Sequence, residues 1–139
     1  MPKGSGVVVL KKVDGEYKVL CLFEENKKGL RKYDMTKGRI DKGENPFETA
    51  IRETREEAGL EKIKFNWGKV SLEKGGVKMF IATTKNIPKI RPNPKSGVIE
   101  HDGFEWNSFE VAYILMPDFL KPFITWAESI AQGDKDVKV

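Results

Sequence analysis

Glu53, Glu56 and Glu57 stand at i, i+3 and i+4, a spacing that gathers side chains on one surface of an α-helix. With residues 46–58 wound into a helix, Phe47, Ala50, Ile51, Thr54 and Ala58 fall on the other side, free to pack on a sheet. Like charges this close repel by roughly a few tenths of a kcal/mol per exposed pair. Arg52 and Arg55 could offset that, which would make the segment an acidic solvent face and no more. A hard divalent cation such as Mg²⁺ or Mn²⁺ would offset more of it, because carboxylate oxygens suit such ions. Just upstream lie Lys27, Lys28, Arg31, Lys32, Lys37, Arg39 and Lys42, with Gly38 and Gly43 among them. A basic loop, glycines and then glutamates at helical spacing is the order a metal–phosphate site requires. Lys37, Arg39 and Lys78 are the cations that could meet phosphates. Lys78 interrupts an apolar strand, although alternation also allows it to point to solvent. Tyr33, Phe80, Phe104 and Tyr113 are the aromatic candidates for stacking on a base, whereas Trp106, Phe123 and Trp126 read as core.

The elements that must position these residues can be read in order. Gly6–Leu10 is a β-branched apolar strand, Asp14-Gly15 a hairpin turn, and Tyr17–Phe23 the returning strand. Residues 24–37 read as a polar loop. The helix over 46–58 has the clearest punctuation. Asn45 is a cap, Pro46 suits the first helical position, Glu48 completes a capping box and Gly59 is the stop. Lys62–Leu72 and Val77–Thr84 read as two further strands, followed by a loop marked by Pro88, Pro92 and Pro94. Glu105-Trp106 is a short strand and Ser108 a second cap. Its helix breaks near Pro117 and resumes over 118–131, with Phe119, Phe123, Trp126 and Ile130 on one side and Pro122 in the first turn. Residues 134–139 read as a frayed tail. Strands and helices without strict alternation indicate a mixed α/β (α+β) class with helices packed on a sheet.

Composition narrows the function. The chain has 139 residues, 39% hydrophobic and 33% charged, which is the size and balance of one globular domain over 1–139. Cys21 is the single cysteine, so no disulfide can form within the chain and a reducing, cytoplasmic location is expected. No apolar run reaches the roughly 20 residues of a membrane helix, and the first residues lack a secretory pattern. A net charge of +4 is small for a nucleic-acid binder and fits a small polyanionic ligand. Monomer and homodimer are equally compatible with it.

The span from Gly38 through Glu44 to Arg52-Glu53-Thr54-Arg55-Glu56-Glu57-Ala58-Gly59-Leu60 resembles the Nudix box, G-x5-E-x7-R-E-U-x-E-E-x-G-U with U apolar. Thr54 is the one departure, and it still offers a methyl group. The resemblance implies an α/β/α sandwich with a mixed sheet between helices. It also implies a pyrophosphohydrolase that uses divalent metal and water attack on phosphorus. Carried over by position, Glu53, Glu56 and Glu57 bind metal, and Glu53 serves as ligand or base. Arg52 orients the box glutamates, Glu44 supports the loop or an outer metal, and a carbonyl near Lys37 or Gly38 is an extra ligand.

Two further segments resemble the dinucleoside polyphosphate hydrolases of the same family. Tyr33 to Glu44 is similar to W-x-x-P-K-G-H-x-x-x-G-E, with Tyr33, Thr36 and Arg39 in place of the tryptophan, proline and histidine. Glu100-His101-Asp102-Gly103-Phe104-Glu105-Trp106 is similar to E-H-x-x-[YF]-x-W, which implies Glu100 as a further metal ligand. His101 is the only histidine, a residue more often structural than catalytic. The expected reaction is cleavage of a dinucleoside polyphosphate such as diadenosine tetraphosphate to ATP and AMP. The alternatives are ADP-ribose, a plain or oxidised nucleoside triphosphate, or an RNA 5′ end. A non-catalytic nucleotide-binding domain is less in keeping with the retained glutamates.

Overall fold

The computed structural model describes residues 1–136. The elements are β1 (Gly4–Val13), β2 (Glu16–Glu25), β3 (Arg31–Asp34), β4 (Thr36–Arg39), α1 (Pro46–Ala58), β5 (Ser71–Lys74), β6 (Val77–Thr83), β7 (Gly103–Asn107), α2 (Phe109–Leu115), a 3₁₀ turn (Asp118–Leu120) and α3 (Lys121–Asp136). The seven strands form one mixed sheet, in which β1 runs parallel to β6 and every other pairing is antiparallel.

The sheet forks where the chemistry lies. β1 and β2 pair only beside their hairpin, from Leu10↔Val19 to Val13↔Glu16. Beyond that they part, and residues 31–39 fill the gap: β3 pairs with β2 from Leu22↔Asp34, and β4 pairs with β1 from Gly4↔Arg39 to Val7↔Thr36. The bend between them falls at Met35, which is buried in the core. These strands replace most of the expected loop over 24–37. Their residues are largely charged, so no apolar alternation announces them; their backbone bonds come from partners far away in sequence.

Alternation along β1 sends Val7 and Val9 to one face and Val8 and Leu10 to the other. On the first face Ala50 and Ala58 of α1 pack with Leu60, Leu20, Leu22, Phe80 and Ala82. On the second, Ala112 and Met116 with Leu120, Phe123, Ile124, Ala127 and Ala131 cover Met79 and Ile81. Helices therefore lie on both faces of a mixed sheet, as expected.

α1 begins and ends where its punctuation dictates. The Asn45 side chain accepts from the Glu48 N–H at 2.8 Å, and the Glu48 carboxylate accepts from the Asn45 N–H at 3.0 Å. Gly59 closes the helix at φ 64°. The expected faces need adjusting. Ala50, Thr54 and Ala58 are buried, but Phe47 and Ile51 are only half-buried. Phe47 packs on Phe65 and Phe80, at 4.7 and 5.1 Å between ring centroids.

Other boundaries differ from the sequence reading. Over 62–72 only Lys64, bridged to Thr83, and the start of β5 are extended. The intervening residues turn, with Gly68 at φ 77°, so that Trp67 reaches the Tyr17 ring at 5.8 Å. α3 runs on to Asp136, past the expected fraying point; 137–139 lie outside the described residues. Phe119 sits in the 3₁₀ turn, 57% exposed, apart from buried Phe123. Among the described residues no helix is long and apolar enough to cross a membrane.

Candidate metal and phosphate site

The fork sets β4 against α1, and backbone and carboxylates meet there. The Lys37 N–H donates to Glu57 Oε1 at 2.8 Å. Gly38 follows, and a Cβ at that position would overlap the Glu53 carboxylate. Its φ is not positive, so glycine serves here by leaving room for that carboxylate, the movable end of the Glu53 side chain, and not by its backbone conformation. Glu53 is only 9% exposed, far more enclosed than a solvent-facing helix surface would leave it.

Arg52 holds the acidic group together. Its Nε donates to Glu44 Oε2 at 2.8 Å and its Nη2 to Glu44 Oε1 at 3.1 Å. Nη1 reaches both Glu56 oxygens at 3.1 Å and Glu53 Oε2 at 3.4 Å. Nη2 also donates to the Arg39 carbonyl at 3.0 Å. Glu44 accepts further from Thr49 Oγ1 at 2.7 Å and from the Asp41 N–H at 3.1 Å. These donors, Arg52 first, hold its carboxyl down at about 2. Its oxygens are committed to the loop, which separates Glu44 from the metal-binding candidates.

Glu53 and Glu57 behave in the opposite way. Burial pushes Glu57 up to about 9 and Glu53 up to about 7, with neighbouring carboxylates adding to both. Burial outweighs the nearby Arg52 charge at Glu53 and the Lys37 N–H at Glu57 and favours protonation, and a cation among these oxygens would reverse the balance. One carboxylate oxygen each from Glu57 and Glu100 and a ring nitrogen of His101 lie within 4.8 Å of one another. Hard oxygen donors with one imidazole suit a divalent ion.

The segment after Pro88 closes the site from above. Asn93 Nδ2 donates to Glu100 Oε1 at 3.3 Å, and Lys95 Nζ to Asp41 Oδ2 at 2.8 Å. Gly38, Arg39, Glu53, Glu56, Glu57 and Glu100 line the resulting cleft of about 330 Å³. A larger cleft of about 800 Å³ adjoins it, sharing Lys37, Glu57 and Glu100 and running past Tyr33 to Phe119.

The structure thus brings together Glu53, Glu56, Glu57, Arg52, Gly38, Lys37, Arg39, Tyr33 and Glu100. Lys78 is not among the residues lining these clefts; its Nζ lies 5.9 Å from the centre of the Phe80 ring. Phe80 is buried and Phe104 packs in the α1-side core, so neither offers a stacking face. Tyr113 is exposed, with Lys121 5.0 Å from its ring, and it does not line the cleft. The sequence reading missed Asp34 and Phe119. Asp34 sits 3.1 Å from Lys37 Nζ and 3.8 Å from His101 Nε2. Its i, i+3 spacing to Lys37 was the available signal. Phe119 faces the cleft 5.5 Å from Lys37 Nζ, and a helical periodicity assigned it to the wrong side.

The buried carboxylates fix a pH dependence. Glu53 and Glu57 rise from 4.5 to about 7 and about 9 on folding, so the native state binds more protons than the unfolded chain across that interval. Stability of metal-free protein falls as pH rises from about 4.5 to 9. Glu44 is shifted down, and its contribution disappears as pH drops from 4.5 toward 2. Chemical denaturation in chelator across this range should show the alkaline decline, and Glu57→Gln should flatten it. An equal decline in that variant would refute the assignment.

Comparison with known proteins settles the family. Residues 2–127 match the NUDIX domain. The chain belongs to the NUDIX family. Its fold agrees with that of the C. elegans Ap4A hydrolase in a binary complex: TM-score 0.73 at 22% identity, over 96% of this chain and 99% of that one. The NUDIX domain of Shewanella oneidensis NrtR, complexed with ADP ribose, gives a TM-score of 0.63 at 15% identity, over 92% and 86%. A local match of 54% identity over 33 residues links this NUDIX chain to the asymmetrical bis(5′-nucleosyl)-tetraphosphatase of Mus musculus. That match spans 24% of this chain and 22% of the mouse protein.

Proposed function

We propose that the chain is a Mg²⁺- or Mn²⁺-dependent pyrophosphohydrolase that cleaves dinucleoside polyphosphates, diadenosine tetraphosphate to ATP and AMP in particular. One observation carries the reading: the carboxylates of Glu53, Glu56, Glu57 and Glu100 converge on a cleft that continues, past Lys37, into a larger one flanked by aromatic rings. The local match to the mouse tetraphosphatase and the Glu100-His101 segment favour this substrate class.

Divalent metal held by Glu53, Glu56, Glu57 and Glu100 would supply charge neutralisation on the phosphates and polarise the phosphorus under attack. The chain does the rest. Arg52 fixes the glutamates in one arrangement. Lys37 meets the polyphosphate from one side of the cleft and Arg39 from the rim. Glu53 serves there as a metal ligand or as the acceptor of the attacking water's proton. Tyr33 and Phe119 offer ring faces to one base.

A panel of diadenosine tetraphosphate, ADP-ribose and nucleoside triphosphates, with products separated by chromatography, tests the assignment. Diadenosine tetraphosphate should give the highest kcat/KM and yield ATP plus AMP. Glu100→Gln should slow it while leaving thermal stability unchanged, since Glu100 is exposed. ADP-ribose or a triphosphate faster by tenfold, about 1.4 kcal/mol of transition-state preference, would overturn the substrate class. The same chemistry would then remain on another diphosphate.

A further inference from the structure

We infer that a second cleft beside the start of β3, which carries an exposed aliphatic pair, is the subsite for the other nucleoside of the substrate. The inference rests on the dinucleoside polyphosphate reading above. This cleft, of about 560 Å³, has mostly charged walls, Glu25, Lys32 and Asp102 among them, with Leu30 and Ile99 as its apolar pair. It adjoins the larger cleft, with Glu24, Arg31, Lys32 and Glu100 lining both. The same side chains border both clefts, and a ligand extending from the glutamates along β3 would pass over them to reach the second.

The chemistry of its walls suits a nucleoside. Leu30 and Ile99 are 65% and 57% exposed, two large apolar groups presented to solvent in an otherwise charged surround. Leu30 is held in place: Asn26 Oδ1 accepts from the Leu30 N–H at 3.0 Å, and the Asn26 N–H donates to the Leu30 carbonyl at 2.9 Å. Gly29, at φ 80°, permits that tight closure. Arg31 is neutralised by Glu25 at 2.9 Å and Glu105 at 2.7 Å and lies 3.9 Å above the Phe23 ring, which makes it a wall. Lys32 is exposed and forms no ion pair among the described residues, so its charge is available to a polyphosphate passing between the clefts. The carboxylate of Glu24 at the edge is an acceptor for the exocyclic amine of a purine. A subsite with the Tyr33 and Phe119 rings at one end and one with the Leu30–Ile99 pair at the other would hold the two halves of a symmetric molecule differently, which fits cleavage into unequal products.

The test compares diadenosine tetraphosphate with adenosine tetraphosphate, which lacks the second nucleoside. In Leu30→Ser/Ile99→Ser, the ratio of their KM values should rise about tenfold against the dinucleotide, equivalent to about 1.4 kcal/mol. Both side chains are exposed, so the thermal midpoint should not move. An unchanged ratio, with both substrates still turned over, would overturn the second subsite alone. Failure of the unaltered protein to turn over either substrate would overturn the reading beneath it as well. Gel filtration covers the remaining occupant: a dimer that dissociates in the double variant would assign the apolar pair to a second copy of the chain and overturn the proposal.

Discussion

Glu57→Gln is expected to lower kcat by on the order of 10²-fold or more, the scale of a lost electrostatic stabiliser, with the fold retained. The substitution keeps the side chain's shape and its bond from the Lys37 N–H at 2.8 Å, and it removes the charge that a cation must meet. Excess EDTA should abolish hydrolysis in the unaltered protein, and Mg²⁺ or Mn²⁺ should restore it. Calorimetry should show the variant binding Mn²⁺ more weakly. Full turnover in chelator, or a Glu57→Gln enzyme with native kcat, would sink the metal reading.

Arg52→Ala should be the most destabilising change at the site. The guanidinium contacts Glu44, Glu53, Glu56 and the Arg39 carbonyl, with Asp41 Oδ2 at 3.5 Å. Removing it leaves partly buried carboxylates without their shared partner, a loss of about 3 kcal/mol when one member of such a group is deleted. Arg52→Lys should recover only part of this, because an ammonium cannot span Glu44 and Glu56 as a planar fork does. Urea titration at pH 7 gives the midpoint, and the slope reports whether two-state behaviour survives. Added Mg²⁺ should narrow the deficit, since a cation can neutralise some of the same oxygens. An Arg52→Ala midpoint equal to the parent's would show that the ion pairs contribute little.

These residues were legible in the sequence to different degrees, for physical reasons. α1 could be bounded almost to the residue because capping is local chemistry: Asn45, Pro46, Glu48 and Gly59 each act within a few positions. The carboxylate cluster was legible because helical spacing places i, i+3 and i+4 together whatever surrounds them. What needed the fold was everything set by distant partners. The strands at 31–34 and 36–39 exist because β1 and β2 part, and nothing in their own charged residues says so. Burial of Glu53 follows from the approach of Gly38, 15 positions earlier in the chain. Lys78 was misjudged because its charge drew attention while its strand carried it to Phe80. Phe119 was misjudged because a 3₁₀ turn broke the helical phase used to place it.

Threonine 36 and threonine 54 each stand where the family pattern asks for something else, a proline and an aliphatic residue. In the folded protein they are neighbours. Their hydroxyl oxygens lie 3.0 Å apart, with Thr36 Oγ1 also 3.0 Å from the Val7 carbonyl and Thr54 Oγ1 2.8 Å from the Ala50 carbonyl. Both are buried. Scored column by column, the two positions look like two independent defects in a motif. Physically they are coupled: two protons serve three contacts, so the hydroxyls share donors, and each has a backbone carbonyl to fall back on. Restoring either consensus residue alone leaves the other hydroxyl bonded to its own carbonyl, Val7 for Thr36 and Ala50 for Thr54, so the two changes are open in either order.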